Sequence, residues 1–278
     1  MTKTTGQMKK DTLLQKAQAG DIKAFHALFS AFQPQLKSYL YRLTANRNET
    51  EDLAHDTFII AFDHLPSFEG RSSLKTWVFT IATHHARKHL KKKKRWREDT
   101  LDRVRRYAHA EEERLNALMR TNRYDPFGAF EIREHIDYCF TCTSKMLPLE
   151  EQLALILKDI YAFKVKEIAS IMDTSLGAVK HLLHRARKTM VRIFDDQCAL
   201  VSKQGVCDQC SQLNGRFNPG QDTQAALMRI QMVRDASNED KKELFLLRTA
   251  LVRAMDPLQT NGANLHELMM SLNHQVNE

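Results

Sequence analysis

Apolar side chains recur along this chain three and four residues apart, and the strict alternation of a strand is rare. That periodicity predicts an all-α protein. The scarcity of backbone punctuation, 9 glycines and 6 prolines in 278 residues, agrees with it. Leu53, Thr57, Ile60 and Ala61 mark one helix. Its pattern breaks at Leu65-Pro66 and resumes near Ser72, after which Leu74, Trp77, Val78, Ile81 and Ala82 share one side of a second helix. Between them Pro66-Ser67-Phe68-Glu69-Gly70 is turn-forming and carries one aromatic. Further on, Leu149, Leu153, Ile156, Leu157 and Ile160 form one helical face, and Val165, Ile168, Ala169 and Met172 a short helix. Later helices are predicted at about 225–233, 241–255 and 265–272, with Leu244, Leu247, Leu251 and Met255 as an apolar stripe in need of cover.

These patterns divide the chain into blocks. The first runs over 11–97. A densely charged stretch over 98–128, ending in Arg123-Tyr124-Asp125-Pro126-Phe127-Gly128, reads as a linker with some helix. A second helical block covers 129–194, and a helical C-terminal extension covers 195–278.

Val165 to Leu182 fits the helix-turn-helix template. Ala169 is small enough to let the second helix cross closely, and Ile168, Met172, Val179 and Leu182 supply the apolar positions on either side of the turn. Asp173 tolerates the left-handed backbone the turn needs, and Thr174 or Ser175 is placed to cap the following helix. The exposed side of that helix offers Lys180, His181, His184, Arg185 and Lys188, donors suited to phosphates and to base edges in a major groove. Taken alone, the match also admits an ordinary helical hairpin with a solvated basic face.

Charge sharpens the picture. The chain carries a formal net charge of +8, which favours a polyanionic partner, nucleic acid or an anionic membrane. Eight of the eleven residues from Arg87 to Arg97 are Lys or Arg, in continuation of a helix bearing Trp77 and Phe79. Positive charge along a helix neutralises phosphates, and aromatics beside it can stack on unpaired bases, a pairing suited to DNA that is being opened. The plainer alternative is a solvated charge run with Trp77 and Phe79 in the core. No apolar run approaches a membrane span, no lipid anchor accompanies the basic run, and the polar start MTKTTGQMKK lacks a signal-peptide core. A cytoplasmic location with reduced cysteines is therefore expected.

Three segments in order complete a pattern. Ala19-Gly20-Asp21 to Phe25, Glu51-Asp52-Leu53-Ala54-His55-Asp56-Thr57-Phe58, and Phe68 to Ala82 together resemble region two of extracytoplasmic-function sigma factors. Leu147-Pro148, Glu167-Ile168-Ala169 and Gly177 to Arg187 resemble their region four. The resemblance covers about two thirds of the chain and not its third block. It implies two helical domains that bind core RNA polymerase and promoter DNA, with no catalysis of their own; an anti-sigma factor would be a further partner. It implies that Asp52, Asp56 and Phe58 dock on the polymerase. It places Phe68, Arg71, Ser72, Trp77, His84 and Lys88 at the minus-ten reader, with His84 a departure from the usual polar residue there. Lys180, His181, His184, Arg185 and Lys188 fall on the minus-thirty-five reader, and Ala178 stands where threonine is usual.

No phosphate loop, dinucleotide fingerprint or nucleophile elbow is present, so no enzyme is expected and no cofactor is required. Cys139-x2-Cys142 and Cys207-x2-Cys210 have the spacing of zinc ligands. A four-thiolate structural zinc site, a redox-sensitive thiol cluster and buried small hydrophobes all remain open. The competing function is a helix-turn-helix regulator whose C-terminal block senses a ligand or thiol state. Such a regulator has no use for the acidic 49–58 helix or the aromatic helix after it.

Overall fold

A computed structural model describes residues 5–100, 103, 106, 132–197, 241–259, 270, 271 and 273–277. Among them there is no strand. The first unit holds α1 (Thr5–Gln18), α2 (Ile22–Phe29), α3 (Gln33–Thr44), α4 (Arg47–His64) and α5 (Leu74–Leu90). Local chemistry sets these boundaries. Gly20, at φ +96°, ends α1, and the Asp21 carboxylate accepts from the N–H groups of Lys23 and Ala24 to start α2. Asn46 caps α4 through Glu49 N–H at 3.1 Å, and Ser73 caps α5 through Thr76 N–H at 3.0 Å. The break at Leu65-Pro66 is a single 3-10 turn, Leu65–Ser67.

The second unit holds α6 (Ile132–Ser144), α7 (Leu149–Leu155, continuing as a π-helical turn over Ile156–Ile160), α8 (Val165–Met172) and α9 (Leu176–Gln197). From the C-terminal block comes α10 (Lys241–Arg253), packed on α6, the π turn and α9. It buries Phe245, Arg248, Thr249 and Val252 and exposes Leu246. The buried side of α10 is thus partly polar, and the helix ends two residues short of the expected stripe's Met255, which is half-buried. The helix expected at 225–233 lies outside the described residues, as does most of that at 265–272.

One hydrophobic core runs through both units. Phe79 of α5 lies 5.0 Å from Phe163 and 5.3 Å from Tyr39, and Tyr39 meets Tyr161 edge-on at 5.7 Å. Helix α3, which the hydrophobic pattern did not single out, sits in the middle. Its apolar side holds Leu36, Tyr39, Leu40 and Leu43, and its other side buries Ser38 and Arg42 against the second unit.

The basic run is divided by the fold rather than being one continuous helical face. Helix α5 stops at Leu90 and Lys91–Lys94 form an exposed turn. Arg95 then turns inward, donating to Leu147 O (2.7 Å), Ser144 O (3.3 Å) and Gln152 Oε1 (2.7 Å). Burial pulls its guanidinium down to about 10, so it stays charged. Trp96 is buried in a second cluster with Tyr138, Cys142, Met146, Ile193 and Met270. Two residues that read as part of a DNA-facing run are instead anchors between units. A tryptophan bracketed by arginines can still bury its ring when a partner surface supplies carbonyls for the cations beside it.

Lys145 shares this junction. Its Nζ donates to Leu43 O at 3.2 Å and Thr44 O at 2.7 Å, the open C-terminal end of α3, and lies 5.0 Å from the centre of the Trp96 ring. Burial, with Arg95 adding repulsion, pushes the ammonium from 10.5 down to about 7. Between those values the folded chain has released a proton that the unfolded chain still holds, so stability rises with pH across that window. Urea midpoints measured from pH 7 to 9 should climb in the wild-type chain and climb less in Lys145→Met. Equal slopes in the two chains would contradict this.

Candidate nucleic-acid interface

The helix-turn-helix forms as its sequence predicts. Asp173 adopts φ +52°, ψ +59° at the end of α8, and Thr174 N–H reaches back to Ala169 O at 2.9 Å. Ser175, not Thr174, caps α9, its hydroxyl accepting from Ala178 N–H at 3.1 Å. Ile168, Ala169, Met172 and Val179 are buried at the crossing, and Lys180, His181, His184 and Lys188 are exposed. Arg185 is also largely exposed, but its guanidinium is held at 2.8 Å by Glu151, itself nearly buried.

The loop before α5 is tied down at its start and open at its tip. Gln18 Nε2 donates to Phe68 O at 2.9 Å, and Phe68 is buried against Trp77 with ring centres 5.1 Å apart. Gly70 at φ +72° then turns the chain outward. Arg71 is exposed, paired with Glu69, and Ser72 is half-buried. Along α5, Trp77 is half-buried while His84 and Lys88 are exposed. At about 100° per residue these three fall within about 40° of one another, so they line one stripe with the loop at its head. Phe79, by contrast, is wholly inside the core, so only Trp77 of the two aromatics reaches the surface.

A second stripe lies on α4. Asp52, Asp56, Ile59 and Asp63 are all exposed and follow one another at helical spacing. Phe58 belongs to a different side: it packs 5.0 Å from Phe25 and 5.1 Å from Phe29. The exposed apolar member of the acidic face is therefore Ile59, which the sequence did not single out. The two residues are adjacent in sequence, and only the phase set by Phe25 and Phe29 separates them. Asp56 also contacts His85 Nε2 at 3.1 Å, and Glu49 binds both His89 (2.9 Å) and Lys93 (2.5 Å), joining α4 to α5. Burial alone would raise the Glu49 carboxyl, but Lys93 and His89 hold it below the usual range.

Residues 28–96 match the Sigma-70 region 2 family, and residues 139–190 match Sigma-70, region 4. The RNA polymerase sigma factor YlaC of Bacillus subtilis is 33% identical over 162 residues, which span 58% of this chain and 86% of that one. The ECF RNA polymerase sigma-E factor of Haemophilus influenzae is 28% identical over 185 residues, 66% of this chain and 93% of that one. The chain belongs to the sigma-70 family, in its extracytoplasmic-function group. Among solved structures it is similar to CnrH bound to the cytosolic domain of CnrY, with TM-score 0.47 and 18% identity over 67% of this chain and 97% of that one. It is also similar to Bartonella quintana RpoE bound to the anti-sigma factor NepR, with TM-score 0.40 and 21% identity over 62% and 96%.

As a sigma factor the chain binds core RNA polymerase and directs promoter-specific transcription initiation, and it is not an enzyme. The region 2 match disposes of the alternative of a simple helix-turn-helix regulator. Among the described residues, no helix is long and apolar enough to cross a membrane. Of the thiols considered for zinc, Cys142 is buried and accepts from Asn273 Nδ2 at 3.5 Å, and Cys139 is half-buried beside the main core. Cys207 and Cys210 lie outside the described residues.

The turn generates a test. An aspartate in left-handed backbone is tolerated, whereas a β-branched residue there is strained by roughly 1–2 kcal/mol. In urea unfolding of the full chain, Asp173→Gly should be neutral or stabilising and Asp173→Val should lose about that amount. A Val variant as stable as wild type would remove the turn's claim to a special backbone.

Proposed function

We propose that this sigma factor reads its promoter in two physical states of DNA, duplex at the upstream element and single strand at the downstream one. The upstream reader is α9, through Lys180, His181, His184, Arg185 and Lys188. The downstream reader is the 66–73 loop with the Trp77–His84–Lys88 stripe of α5, where Arg71 and Ser72 approach the strand and Trp77 supplies a stacking surface. Phe68 acts from beneath, as the ring on which Trp77 rests. The observation that carries this reading is the stripe itself: one partly exposed indole in line with two exposed polar side chains, at the open end of a loop. Polymerase docking falls to the acidic stripe of α4, with Asp52 and Asp56 as its charges, Ile59 as its apolar contact and Phe58 as its support from within. The work is done in the cytoplasm, where the polymerase is. The exposed turn at Lys91, Lys92 and Lys94 adds sequence-independent attraction to phosphate.

Zinc would require Cys142 to exchange its contact with Asn273 for a metal bond, with Cys207 and Cys210 brought alongside Cys139. Bound metal at about one ion per purified chain, absent from Cys207→Ser, is the signature of that site.

Run-off transcription with core polymerase on fragments of the source genome identifies the promoters and tests the reading. Reversing Asp52 and Asp56 to lysine should abolish co-purification with core polymerase without changing the melting curve; undiminished co-purification would remove α4 from the interface. On the promoter so found, Arg185→Ala should lose roughly 1–3 kcal/mol of binding at the upstream element, as expected for a bidentate base contact. Replacing Lys91, Lys92 and Lys94 by glutamine should weaken all sequences alike and flatten the salt dependence by roughly 0.9 for each phosphate that is no longer neutralised. Identical, sequence-independent losses from both changes would contradict the division of labour.

A further inference from the structure

We propose that the C-terminal segments comprising residues 241–259, 270, 271 and 273–277 are an intramolecular clasp that holds the two DNA-reading units together in the free chain and must be released before a promoter can be engaged. This rests on the assignment of the two readers above.

The clasp bridges the units at both of its ends. At one end, Arg42 of α3 donates through Nη2 to Asp137 of α6 at 2.6 Å, and to the carbonyls of Val252 (3.2 Å) and Met255 (3.0 Å) at the close of α10. Its other terminal nitrogen donates to Ser38 Oγ at 2.6 Å and Tyr161 Oη at 2.8 Å. One fully buried guanidinium thus collects the first unit, the second unit and the extension. Nearby, Arg253 donates twice to Asp159 O (3.1 and 2.7 Å), and Arg248 stacks 4.3 Å over Phe194. At the other end, Asn273 Nδ2 donates to Tyr138 Oη at 2.6 Å in the second unit. His274 meets Trp96 edge-on at 5.1 Å, and Asn277 Oδ1 accepts from Arg97 N–H (3.1 Å) and Thr100 Oγ1 (3.0 Å), all beyond α5.

The closed arrangement is incompatible with reading both elements. The readers touch: Thr76 Oγ1 donates to Glu167 at 3.4 Å, and Arg87 donates to Met172 O at 3.1 Å, at the turn of the helix-turn-helix. Elements centred ten and thirty-five bases upstream lie about 25 base pairs apart, roughly 85 Å along B-form DNA. The closed body also crowds the upstream reader. His181 and Arg185 line a cleft of about 550 Å³ whose facing wall is Arg87 and Lys91, a space suited to a small molecule rather than a duplex.

The units also meet through apolar rings, Phe79 on Phe163 and Tyr39 on Tyr161, and to that seam the clasp adds a polar contact suited to being opened. Desolvation offsets most of the attraction in a buried ion pair, so such a pair fixes register more than it stabilises. On separation Arg42 and Asp137 regain their hydration, which lowers the cost of opening relative to an apolar seam of equal area. Burial pushes the Asp137 carboxyl up against the pull of Arg42, the mark of a charge kept dry only by its partner.

The test uses the full-length chain and two variants outside both readers and the polymerase face. Val252→Asp puts a charge into the fully buried seat of α10, and Arg253→Ala removes the Asp159 contacts from a more exposed position. The free wild-type chain should be compact by small-angle X-ray scattering and bind a mixed-sequence 30-base-pair duplex weakly at low salt. Both variants should expand and bind that duplex more tightly. The gain for Val252→Asp should be roughly tenfold, the reciprocal of a wild-type chain open about one time in ten. With core polymerase both should initiate at least as well as wild type. An extended wild-type chain would overturn the proposal, as would variants of unchanged helicity with unchanged dimensions and duplex affinity. If Val252→Asp does not fold, Arg253→Ala decides alone. A wild-type chain that is compact but initiates nothing with core polymerase would instead count against the reader assignment.

Discussion

The arrangement depends on one charge kept out of water. Arg42 stands on the inner face of α3, between an apolar stripe that belongs to the first unit and a polar surface contributed by the second. An arginine can be buried only if its donors are met. Here a carboxylate, two hydroxyls and two main-chain carbonyls meet four of the five, leaving Nε without a protein partner. Those acceptors come from three parts of the fold, the first unit, the second unit and the C-terminal extension. Satisfying Arg42 therefore requires the three to be assembled, and assembling them places the two DNA readers side by side. Lys145 repeats the logic at smaller scale, its ammonium closing the carbonyl end of α3 from the second unit.

The chemistry of a sigma factor is differential binding, and its electrostatics are sorted accordingly. Acidic side chains and one exposed isoleucine occupy the outer face of α4, while runs of exposed cations lie beyond α5 and along α9. Cations that would otherwise add to the DNA face are withdrawn into contacts between units, Arg87 on Glu150 and Met172 and Arg95 on a cluster of carbonyls, while Arg187 is held within the second unit by Asp159. In the closed chain part of the positive potential is spent internally. Separation of the units would return Arg87 and Arg95 to the surface beside the single-strand reader, so opening both exposes the readers and raises their attraction for phosphate.

Much of this was legible in the sequence wherever the determinant is local. The turn at Asp173 and the break at Leu65-Pro66 follow from single-residue backbone preferences and appear where expected, and of the two candidate caps, Thr174 and Ser175, the structure uses Ser175. Trp77, His84 and Lys88 are singled out by the family resemblance, and helical periodicity accounts for their falling on one stripe. What local rules could not supply is the identity of the surface each face meets. Trp96 and Arg95 read as part of a solvated or DNA-facing run because their partners, the carbonyls after α6 and the cluster around Tyr138, lie some fifty residues on. Phe58 and Ile59 were separable only once α2 fixed which side of α4 is inward. Arg42 carried one usable signal: a charge flanked by Tyr41 and Leu43 in a helix otherwise rich in core residues. That pattern marks a buried partner without naming it.

The most direct measurement is the distance between the units before and after promoter binding. Spin labels placed at Lys92, in the exposed turn after α5, and at Lys166, on the exposed side of α8, report it; the first removes one of the three phosphate-attracting lysines of that turn, and neither touches a base-reading residue or the clasp. In the free full-length chain the labels should give one short, narrow distance, because α5 and α8 are in contact. In the complex with core polymerase and promoter DNA that population should vanish in favour of separations of several tens of ångströms, toward the roughly 85 Å between the two elements. A short distance that persisted in the transcribing complex would contradict the account at its centre.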